Sequence, residues 1–580
     1  MSRGISGMSE LRQRKKLCYG GSRWRNIFWN KRNPAACETI CPFFVSNKYG
    51  DIDKQKGQGS EGGTMITAEQ MEDTLAECRV FQRIEGELPE NAEFRNLTCD
   101  SRGVLPGDVF ICKGAAFRPE YLIQAAQKGA AAYVSESVPL QCPAIPGFIV
   151  SDIRKAMAAL AALFLGYRPE EMELIGITGT KGKTTTAWYL KAMLDLWMKG
   201  QERPETALLS TIQNCDGKRW EDSDMTTPEP VELHSFLKRT RENGAPFVTM
   251  EVSSQALKYK RVRGLRFRTG VFLNISEDHI SPLEHADFED YFHSKLSMFR
   301  QCETACVNLD SDCAKPVLDA ARKAKQTVTF GQSPGADIRY GNIRTSQDGS
   351  WFTVSCNAFS EQFHLAMKGR FNIENAVAAI AAAQSCGVPV CCMKQALAQT
   401  EVPGRMETYQ TGDGKICGIV DFAHNRLSFE RLFDTAFSEY GAYKKIITIF
   451  GCPGGKALNR RRELGMIAGL FSDHVIVTSD DPGMEEQTDI AHEVSRSIEM
   501  TGCSYECVEE RKAAVGRAFE KAAQYKERVL ILLLGRGCEK YQKIKDGRIE
   551  YPEDAVLMRE AVRKYGGFTF QRKCIMMEAS

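Results

Sequence analysis

Short apolar segments recur along the chain, separated by Gly-containing turns and by longer stretches with helical spacing. The clearest unit runs from an apolar segment at 173–178 through a Gly-rich turn at 179–183 into a stretch at 184–199 whose apolar residues recur at helical spacing. This order predicts a strand, a loop and a helix. Further apolar segments occupy 247–252, 269–275 and 305–309. From about residue 168, the alternation predicts a mostly parallel sheet flanked by helices.

A second series of apolar segments follows Pro403. It comprises predicted strands at 416–421, 446–450, 474–478 and 529–534. A helical stretch separates each strand from the next, so the series predicts a second α/β domain.

The segment that begins at Met65 has the signal of a helix start. Thr67 can serve as N-cap, and Gln70 follows at the spacing of a capping box. Residues 1–64 carry no sustained periodicity and are rich in Arg and Lys, so we expect a disordered or extraneous extension and a natural translation start at Met65. A transit peptide is the alternative, but two tryptophans and several acidic residues fit it poorly.

Composition limits the class of protein. A length of 580 residues exceeds what one hydrophobic core supports and predicts three or four domains. A hydrophobic share of 43%, a charged share of 26% and a formal charge of +2 give no electrostatic reason to expect nucleic-acid binding. No apolar run approaches the roughly 18 residues of a membrane-spanning helix, so we expect no membrane insertion. The 21 cysteines lack paired spacing, which favours a reducing compartment.

The segment GITGTKGKTTT at 176–186 is the strongest chemical signal in the chain. Its three glycines allow a tight turn whose N–H groups face phosphate oxygens, and the N-terminus of the next helix adds positive potential. We expect Lys183 to contact the β- and γ-phosphates of a nucleotide and the Thr184 hydroxyl to bind magnesium. The loop departs from the strict Walker form, because Ile177 stands at the first glycine position. An ordinary strand-to-helix turn is the alternative, but it does not account for all of these residues together.

Several further segments accompany this loop. They are CDSRGVLPGDVF, TTPEP, TMEVSSQAL, FLNISEDHISPLEH, EDYFHSKLSMF, GRMETY, VDFAHNRLSFE, GCPGGKALNRRRELG, TSDDPG and GRGCEKYQ. Taken alone, most of them are weak signals: DSRG is a turn, and Lys295 is a solvated helix residue. Together and in this order, they make the chain resemble the Mur ligase family, in particular its MurE type, over nearly everything from Met65 onward.

The resemblance implies a three-domain α/β fold, with a UDP-binding domain at 65–167, a central ATP-binding P-loop domain at 168–402 and a Rossmann-like C-terminal domain at 403–580. It also implies a ligase that uses ATP to convert the free carboxylate of D-Glu in UDP-MurNAc-L-Ala-D-Glu into an acyl phosphate, which then reacts with a diamino acid. We therefore expect a cytoplasmic enzyme of peptidoglycan synthesis that works as a monomer.

By resemblance, the central and C-terminal domains hold the nucleotide and its metal ions. The residues expected at the nucleotide are Gly179, Thr180, Gly182, Lys183, Thr184, Thr185, Asn274, Asp421 and His424. Two magnesium ions are expected, with Thr184, Glu251, His279 and Lys295 as ligands. In the family the lysine that corresponds to Lys295 is carbamylated by CO2. Carbamylation turns a cation that repels metal ions into an anion that binds them. The expected catalytic residues are Lys183, Glu251, His279 and Lys295.

The resemblance implies two substrates besides ATP, namely the UDP-linked dipeptide and an amino acid. The residues expected to bind them are Ser101, Thr226, Thr227, Ser253, Ser254, Arg405, Asp480, Asp481, Gly535 and Glu539. The chain departs from the family's pattern at Gln255, where many relatives carry His, and at Arg426 and Leu427, which replace residues that are usually small and acidic. These departures leave open a paralogue that uses a different amine.

The segment DDPG predicts the amine that is added. In the diaminopimelate enzymes of the family the corresponding sequence is DNPR, whose arginine binds the distal carboxylate. Here Gly483 stands in place of that arginine, and Asp481 suits an ammonium group. We therefore expect L-lysine, or ornithine, rather than diaminopimelate.

Three other classes of protein share parts of this pattern. Folylpolyglutamate synthase shares the P-loop and the carbamylated lysine, but it lacks the nucleotide-sugar domain that the DSR segment indicates. A MurT-like partner of an amidotransferase carries a four-cysteine zinc insertion, and the sequence shows none. A catalytically silent binding or scaffold homologue is the remaining alternative, and the retained residues of the expected catalytic set argue against it.

Overall fold

The computed structural model of the protein describes residues 65–114, 117–139, 143–281, 284–346, 348–545 and 547–566. The extension expected at residues 1–64 lies outside this set. Three sheets and the helices packed against them account for most of the described residues. The fold is α/β, as the sequence predicted. None of the helices in the described ranges is both long enough and apolar enough to span a bilayer.

The first sheet lies in the N-terminal part. Its elements are β1 (Ile66–Thr67), α1 (Ala68–Glu77), β2 (Phe81–Glu85), β3 (Glu93–Phe94), β4 (Leu97–Thr98), β5 (Val109–Ile111), α2 (Pro119–Gln127), β6 (Ala132–Ser135), β7 (Gly147–Val150) and α3 (Ile153–Leu165). Five strands pair in the order β2-β7-β6-β5-β4. The predicted capping box is confirmed, because the Thr67 hydroxyl accepts from the N–H of Gln70 and the Gln70 side chain accepts from the N–H of Thr67.

An eleven-stranded sheet forms the central part. Its elements are β8 (Glu173–Thr178), α4 (Lys183–Lys199), β9 (Ala207–Leu209), β10 (Gln213–Cys215), β11 (Trp220–Asp222), α5 (Pro230–Glu242), β12 (Phe247–Glu251), α6 (Ser254–Lys258), β13 (Phe267–Phe272), α7 (Phe288–Leu296), a 3-10 turn (Ser297–Gln301), β14 (Cys302–Asn308), α8 (Ala314–Ala321), β15 (Gln326–Gly331), β16 (Ile338–Ser346), β17 (Gly349–Ser355), β18 (Ser360–Leu365), α9 (Arg370–Ser385) and α10 (Val390–Gln399). The strand order is β11-β10-β9-β12-β8-β13-β14-β15-β16-β17-β18.

The middle of this sheet, from β9 to β16, is parallel, as predicted, and both ends are antiparallel. The predicted bounds of β8 are confirmed. The strand predicted at 269–275 instead ends at Phe272. The chain leaves the sheet there because the side chain of Asn274 bonds the backbone of Lys181 in the P-loop.

A six-stranded sheet forms the C-terminal part. Its elements are β19 (Glu407–Gln410), β20 (Ile416–Asp421), α11 (Arg426–Glu439), β21 (Lys445–Phe450), α12 (Asn459–Phe471), β22 (His474–Val477), α13 (Gln487–Glu499), β23 (Ser504–Cys507), α14 (Arg511–Gln524), β24 (Val529–Leu534), β25 (Tyr541–Ile544), β26 (Gly547–Glu550) and α15 (Asp554–Gly566). The six strands pair in the order β19-β20-β24-β21-β22-β23, and within this sheet only β19 runs antiparallel to its neighbour. Strands β25 and β26 form a separate antiparallel pair. The predicted bounds of β20 and β24 are confirmed.

The expected functional segments follow the carboxyl ends of parallel strands in both sheets. The P-loop follows β8, Glu251 ends β12, and DFAH, DDPG and GRGCE follow β20, β22 and β24. Ligands of open α/β sheets bind at this edge. The topology therefore places the candidate site where the edges of the central and C-terminal sheets meet. The domain boundaries expected near 168 and 403 stay predictions.

Candidate functional site

A cleft of about 420 Å³ lies at this meeting of the two sheets. Its lining contains most of the residues expected from the sequence, namely Thr180, Gly182, Lys183, Thr184, Thr185, Thr226, Glu251, Ser253, Ser254, His279, Lys295, Arg405, Asp421, His424, Asp480, Asp481, Gly535 and Glu539. Segments more than 300 residues apart in the chain thus form one site.

The P-loop forms one wall of the cleft, and helix α4 begins at Lys183. Gly182 has a φ of +92°, and a Cβ there would lie 2.1 Å from Oδ1 of Asn375, so glycine permits both the turn and the close approach of α9. Lys183 Nζ donates to the carbonyl oxygens of Gly179 and Thr180, at 3.0 and 3.2 Å. Burial lowers its pKa from the ordinary value. The loop therefore presents N–H groups, a cation and a helix N-terminus together.

Lys295 is buried beneath this loop, contrary to its exposed appearance in the sequence. Its side chain is 1% exposed, and its Nζ donates to the Gly179 carbonyl oxygen at 2.9 Å and lies 4.7 Å from the centre of the Tyr291 ring. Burial, together with the charge of Lys183, holds the pKa of Lys295 well below its usual range. The neutral amine is therefore easier to form at this position than on an exposed lysine.

Glu251 is fixed at the end of β12. Its carboxylate accepts from the N–H of Thr211 at 2.7 Å and from the Thr211 hydroxyl at 3.2 Å. The Thr211 hydroxyl also lies 3.1 Å from that of Thr226. Thr227 donates to the Glu251 carbonyl oxygen at 2.9 Å. These bonds attach the TTPEP loop to the strand that carries the acid, although Thr227 itself lies behind the cleft lining.

His279 faces the cleft from the loop between β13 and α7. Its Nδ1 lies 2.8 Å from Oε1 of Glu284, so Nε2 is the ring nitrogen that remains for a metal ion. A carboxylate on the second ring nitrogen is the usual arrangement around a metal-binding histidine. Asn274, by contrast, is occupied in bracing the P-loop backbone and is not part of the cleft lining.

The DFAH segment and Arg405 form the opposite wall. Asp421 accepts from the N–H groups of Met406 and Ala423 at 2.9 and 2.8 Å, and burial raises its pKa. Arg405 stacks over the ring of Phe422, with 4.4 Å between guanidinium carbon and ring centre, and reaches the Thr184 hydroxyl at 3.4 Å. This arginine therefore links the C-terminal sheet to the first turn of α4.

Asp480, Asp481 and Glu539 form an acidic group in the lining, with carboxylate oxygens within 4.8 Å of one another. Burial and the charge of Asp480 raise the pKa of Glu539 to about 7. Arg536, whose side chain is 1% exposed, donates to Asp481 at 2.9 Å. Asp481 is thus already paired, which the sequence did not show. Arg536 pairs with all three carboxylates, and Arg511 and Lys456 also act on Asp480. The group still offers carboxylate oxygens in the cleft lining to a further cation.

Ser101 does not reach this cleft. Its hydroxyl donates to Oε1 of Gln124 at 2.7 Å within the first sheet. The link between the first sheet and the cleft is instead an ion-pair chain in which Glu229 contacts Lys113 and Arg261. Arg261 lines the cleft and was not predicted.

The sequence also failed to identify other lining residues. Among them are Lys181, Asn375, Lys456 and Arg460. Asn375 had a usable signal, because it lies in GRFNIEN at the start of an otherwise apolar helix, and buried polar residues in such a helix are unusual. Lys181 lies in the P-loop segment, and Lys456 and Arg460 lie in GCPGGKALNRRRELG, but no local pattern showed that these three cations face the cleft.

Comparison with known proteins gives two family matches. Residues 177–383 match the Mur ligase middle domain, and residues 404–537 match the Mur ligase, glutamate ligase domain. UDP-N-acetylmuramoyl-L-alanyl-D-glutamate--L-lysine ligase of Enterococcus faecalis is 36% identical over 478 residues, which cover 81% of this chain and 92% of that protein. UDP-N-acetylmuramyl-tripeptide synthetase of Lactobacillus delbrueckii subsp. bulgaricus is 35% identical over 486 residues, covering 80% and 92%.

Solved structures show the same fold. The structure of a UDP-N-acetylmuramoyl-L-alanyl-D-glutamate--2,6-diaminopimelate ligase superposes with a TM-score of 0.59 at 24% identity and covers 86% of this chain and 99% of that one.

Proposed function

The chain belongs to the Mur ligase family, and from this premise we propose that it is the ATP-dependent ligase that adds L-lysine to UDP-MurNAc-L-Ala-D-Glu in peptidoglycan precursor synthesis. The observation that carries the proposal is the cleft itself, in which a phosphate-binding loop and an acidic group line the same space. The first suits a nucleotide that activates a carboxylate, and the second suits an amine with a second positive charge.

The reaction has two steps on the substrate. The γ-phosphoryl group of ATP transfers to the free carboxylate oxygen of D-Glu, which gives an acyl phosphate and ADP. The neutral amine nitrogen then attacks the acyl carbon, phosphate leaves with the electrons of the broken C–O bond, and the nitrogen loses one proton to give the amide, which keeps one N–H. The P-loop N–H groups and Lys183 orient the phosphates, while Arg405, next to Thr184, adds positive charge from the other wall.

Magnesium fits the oxygen donors on the P-loop side. Thr184 and Glu251 are buried and line the cleft, and hard oxygen ligands are those magnesium prefers. When bound, the ion offsets charge between the phosphates and the substrate carboxylate. Glu251 is held in place for this role by its two bonds to Thr211.

A second magnesium ion would be held by His279 and Lys295. Nε2 of His279 is available, since Glu284 engages Nδ1. Burial favours the neutral amine of Lys295, the form that can react with CO2, and the resulting carbamate would supply an anionic oxygen ligand. Glu251 and Lys183 complete the catalytic set. These assignments rest on the resemblance, with the local geometry as support.

The acidic group supports the choice of lysine as the amine substrate. The side-chain ammonium of lysine suits Asp480, Asp481 and Glu539, while Lys456 lines the cleft with them and offers a cation for the α-carboxylate. Gly483 provides no group for a second carboxylate. Diaminopimelate would bring that carboxylate close to three acids, which is unfavourable.

The test is to supply purified protein with UDP-MurNAc-L-Ala-D-Glu, ATP and magnesium, and to measure phosphate release with lysine, ornithine or meso-diaminopimelate in separate reactions. We expect release with lysine. Phosphate release with diaminopimelate alone would contradict the amine assignment. No phosphate release with any of the three amines would favour a paralogue that uses another amine or a catalytically silent homologue. The Lys183→Met variant controls for contaminating ATPase.

We also propose that the enzyme acts as a monomer in the cytoplasm, where ATP and nucleotide-linked precursors are present. Ser101 is assigned to the UDP end by resemblance, and Ser253 and Ser254, which line the cleft, to the peptide end. Light scattering after gel filtration would give the mass in solution.

A further inference from the structure

Asp278 connects the central sheet to the C-terminal sheet. It lies in the loop between β13 and α7, and its side chain is 5% exposed. Arg460 on α12 donates to its Oδ1 at 2.9 Å, and Asn425, the N-cap of α11, donates to its Oδ2 at 2.7 Å. Lys181 of the P-loop lies 3.5 Å away. Two of these three side-chain partners therefore come from the C-terminal part.

The residue after Asp278 is the expected metal ligand His279, which has a φ of +56°. This left-handed conformation is unfavourable for a residue other than glycine and persists only where neighbouring groups enforce it. The N–H of His279 donates to Oδ1 of Asp278 at 3.1 Å. That oxygen also accepts from Arg460. One carboxylate oxygen thus joins the strained histidine backbone to a cation of the other sheet.

We infer that Arg460 is a positioning residue that acts through Asp278 on His279, so that the metal site at His279 is complete only while the C-terminal sheet is closed over the P-loop. The inference rests on the proposed function, which assigns a metal ion to His279. Separation of the sheets would remove Arg460 and Asn425 from Asp278. The carboxylate would then be free to turn towards Lys181 or solvent. The backbone of His279 would lose one of its constraints, while the bond from the N–H of His285 to its carbonyl oxygen would remain.

Coupling of the metal site to closure of the two sheets would protect the acyl phosphate from water. An acyl phosphate that forms before the amine is in place can be lost to water. If the second metal ion is held firmly only in the closed arrangement, phosphoryl transfer waits until the wall that carries the acidic group has reached the P-loop.

Other ion pairs between the two sheets supply a matched control. Lys540 pairs with Asp222 at 2.8 Å and Arg548 pairs with Asp224 at 3.1 Å. These side chains are between 44% and 90% exposed, and exposed pairs contribute little free energy. Neither pair contacts the His279 loop. Arg548→Met therefore removes a charge between the sheets without touching Asp278.

The experiment measures manganese binding by electron paramagnetic resonance, in the full chain with a non-hydrolysable ATP analogue. We would compare the unaltered protein with Arg460→Met, Asp278→Asn, the double variant, Arg460→Lys and Arg548→Met. Each single change at Arg460 or Asp278 is expected to lower the affinity for the second manganese ion about tenfold. The double variant is expected to lower it by a similar factor, because the two residues act in series. Arg460→Lys should recover part of the loss, and Arg548→Met should bind as the unaltered protein does.

Two results would overturn the inference. An affinity for the second manganese ion about a hundredfold lower in the double variant would show that Arg460 acts independently of Asp278. Unchanged affinity in Arg460→Met would show that Arg460 does not act on the metal site at all. If the unaltered protein bound no second manganese ion, the proposed metal role of His279 would fail first, and the inference with it. Thermal melting of each variant identifies any loss that comes from unfolding.

Discussion

Glu539 is the residue whose charge state most directly affects the proposed amine. Its pKa is raised to about 7 by burial and by Asp480 and Asp481, while a lysine ammonium, with a pKa of about 10.4, stays charged well above that pH. As the pH falls from about 8 to 6, Glu539 takes up a proton and its attraction for the ammonium is lost. We expect the KM for lysine to rise over this interval and the KM for ATP to change little.

The Glu539→Gln variant imitates the protonated state. We expect the KM for lysine to rise about tenfold or more at pH 8, since a hydrogen bond to a charged group is lost, and the rise between pH 8 and 6 to flatten. Steady-state kinetics with lysine varied gives both quantities. Glu550→Gln, on the exposed strand β26, is the matched control. An unchanged pH profile in Glu539→Gln would assign the titration to another group.

The residues missed by sequence analysis share one physical reason. Lys181 lies in the P-loop segment and Arg460 in GCPGGKALNRRRELG, but both are charged residues, and exposure is the ordinary state of such residues. Arg460 reaches its partner Asp278 across 182 positions of sequence. Lys295 was located through the family resemblance alone. Contacts of this kind are set by how the sheets meet, which no local pattern encodes.

Elements were predicted best where their signal is local. The capping box at Thr67 and the strands β8, β20 and β24 were predicted with the observed bounds, because a cap depends on four neighbouring residues and a strand buried on both faces is a continuous apolar run. The antiparallel ends of the central sheet were not predicted. Strands β10 and β11 have only three residues each, and β16 exposes much of its length, so their pairing depends on neighbours rather than on pattern.

The junction of the P-loop with α9 depends on Gly182. An alanine there must adopt a φ of +92° and place its Cβ 2.1 Å from Oδ1 of Asn375, in the absence of any shift. We expect Gly182→Ala to weaken ADP binding about tenfold or more, because overpacking of a close contact displaces the loop. Isothermal titration calorimetry measures the affinity directly.

Gly516→Ala is the control for that substitution. Gly516 lies within α14, and a Cβ there would meet no atom within 4 Å. We expect unchanged ADP affinity and a slightly higher melting temperature, since alanine is favoured over glycine in a helix. Normal affinity in Gly182→Ala would show that the loop tolerates the shift and that Asn375 can move aside.

At the scale of the whole molecule, polar contacts join the two sheets around the cleft, while one buried hydrophobic cluster contains residues of both parts. The pairs at Asp278, Asp222 and Asp224 and the contact of Arg405 with Thr184 all cross from one sheet to the other. Polar contacts of this kind separate more readily than apolar ones. We expect the radius of gyration from small-angle X-ray scattering to be larger without nucleotide and to fall when an ATP analogue and magnesium are added.

The same measurement has a clear contrary result. A radius of gyration that does not change with nucleotide would show that the sheets stay together throughout the cycle. Arg548→Met should respond to nucleotide as the unaltered protein does, because its pair is exposed.

The opposed character of the two walls has a consequence for inhibition. A single compound with a phosphate-like group at one end and an amine at the other could occupy the P-loop and the acidic group together, and two linked weak contacts bind far more tightly than either alone. Compounds that imitate only a nucleotide would also bind to the nucleotide sites of other P-loop proteins in the cell. A bifunctional antibiotic lead of this design would take its selectivity from Asp480, Asp481 and Glu539.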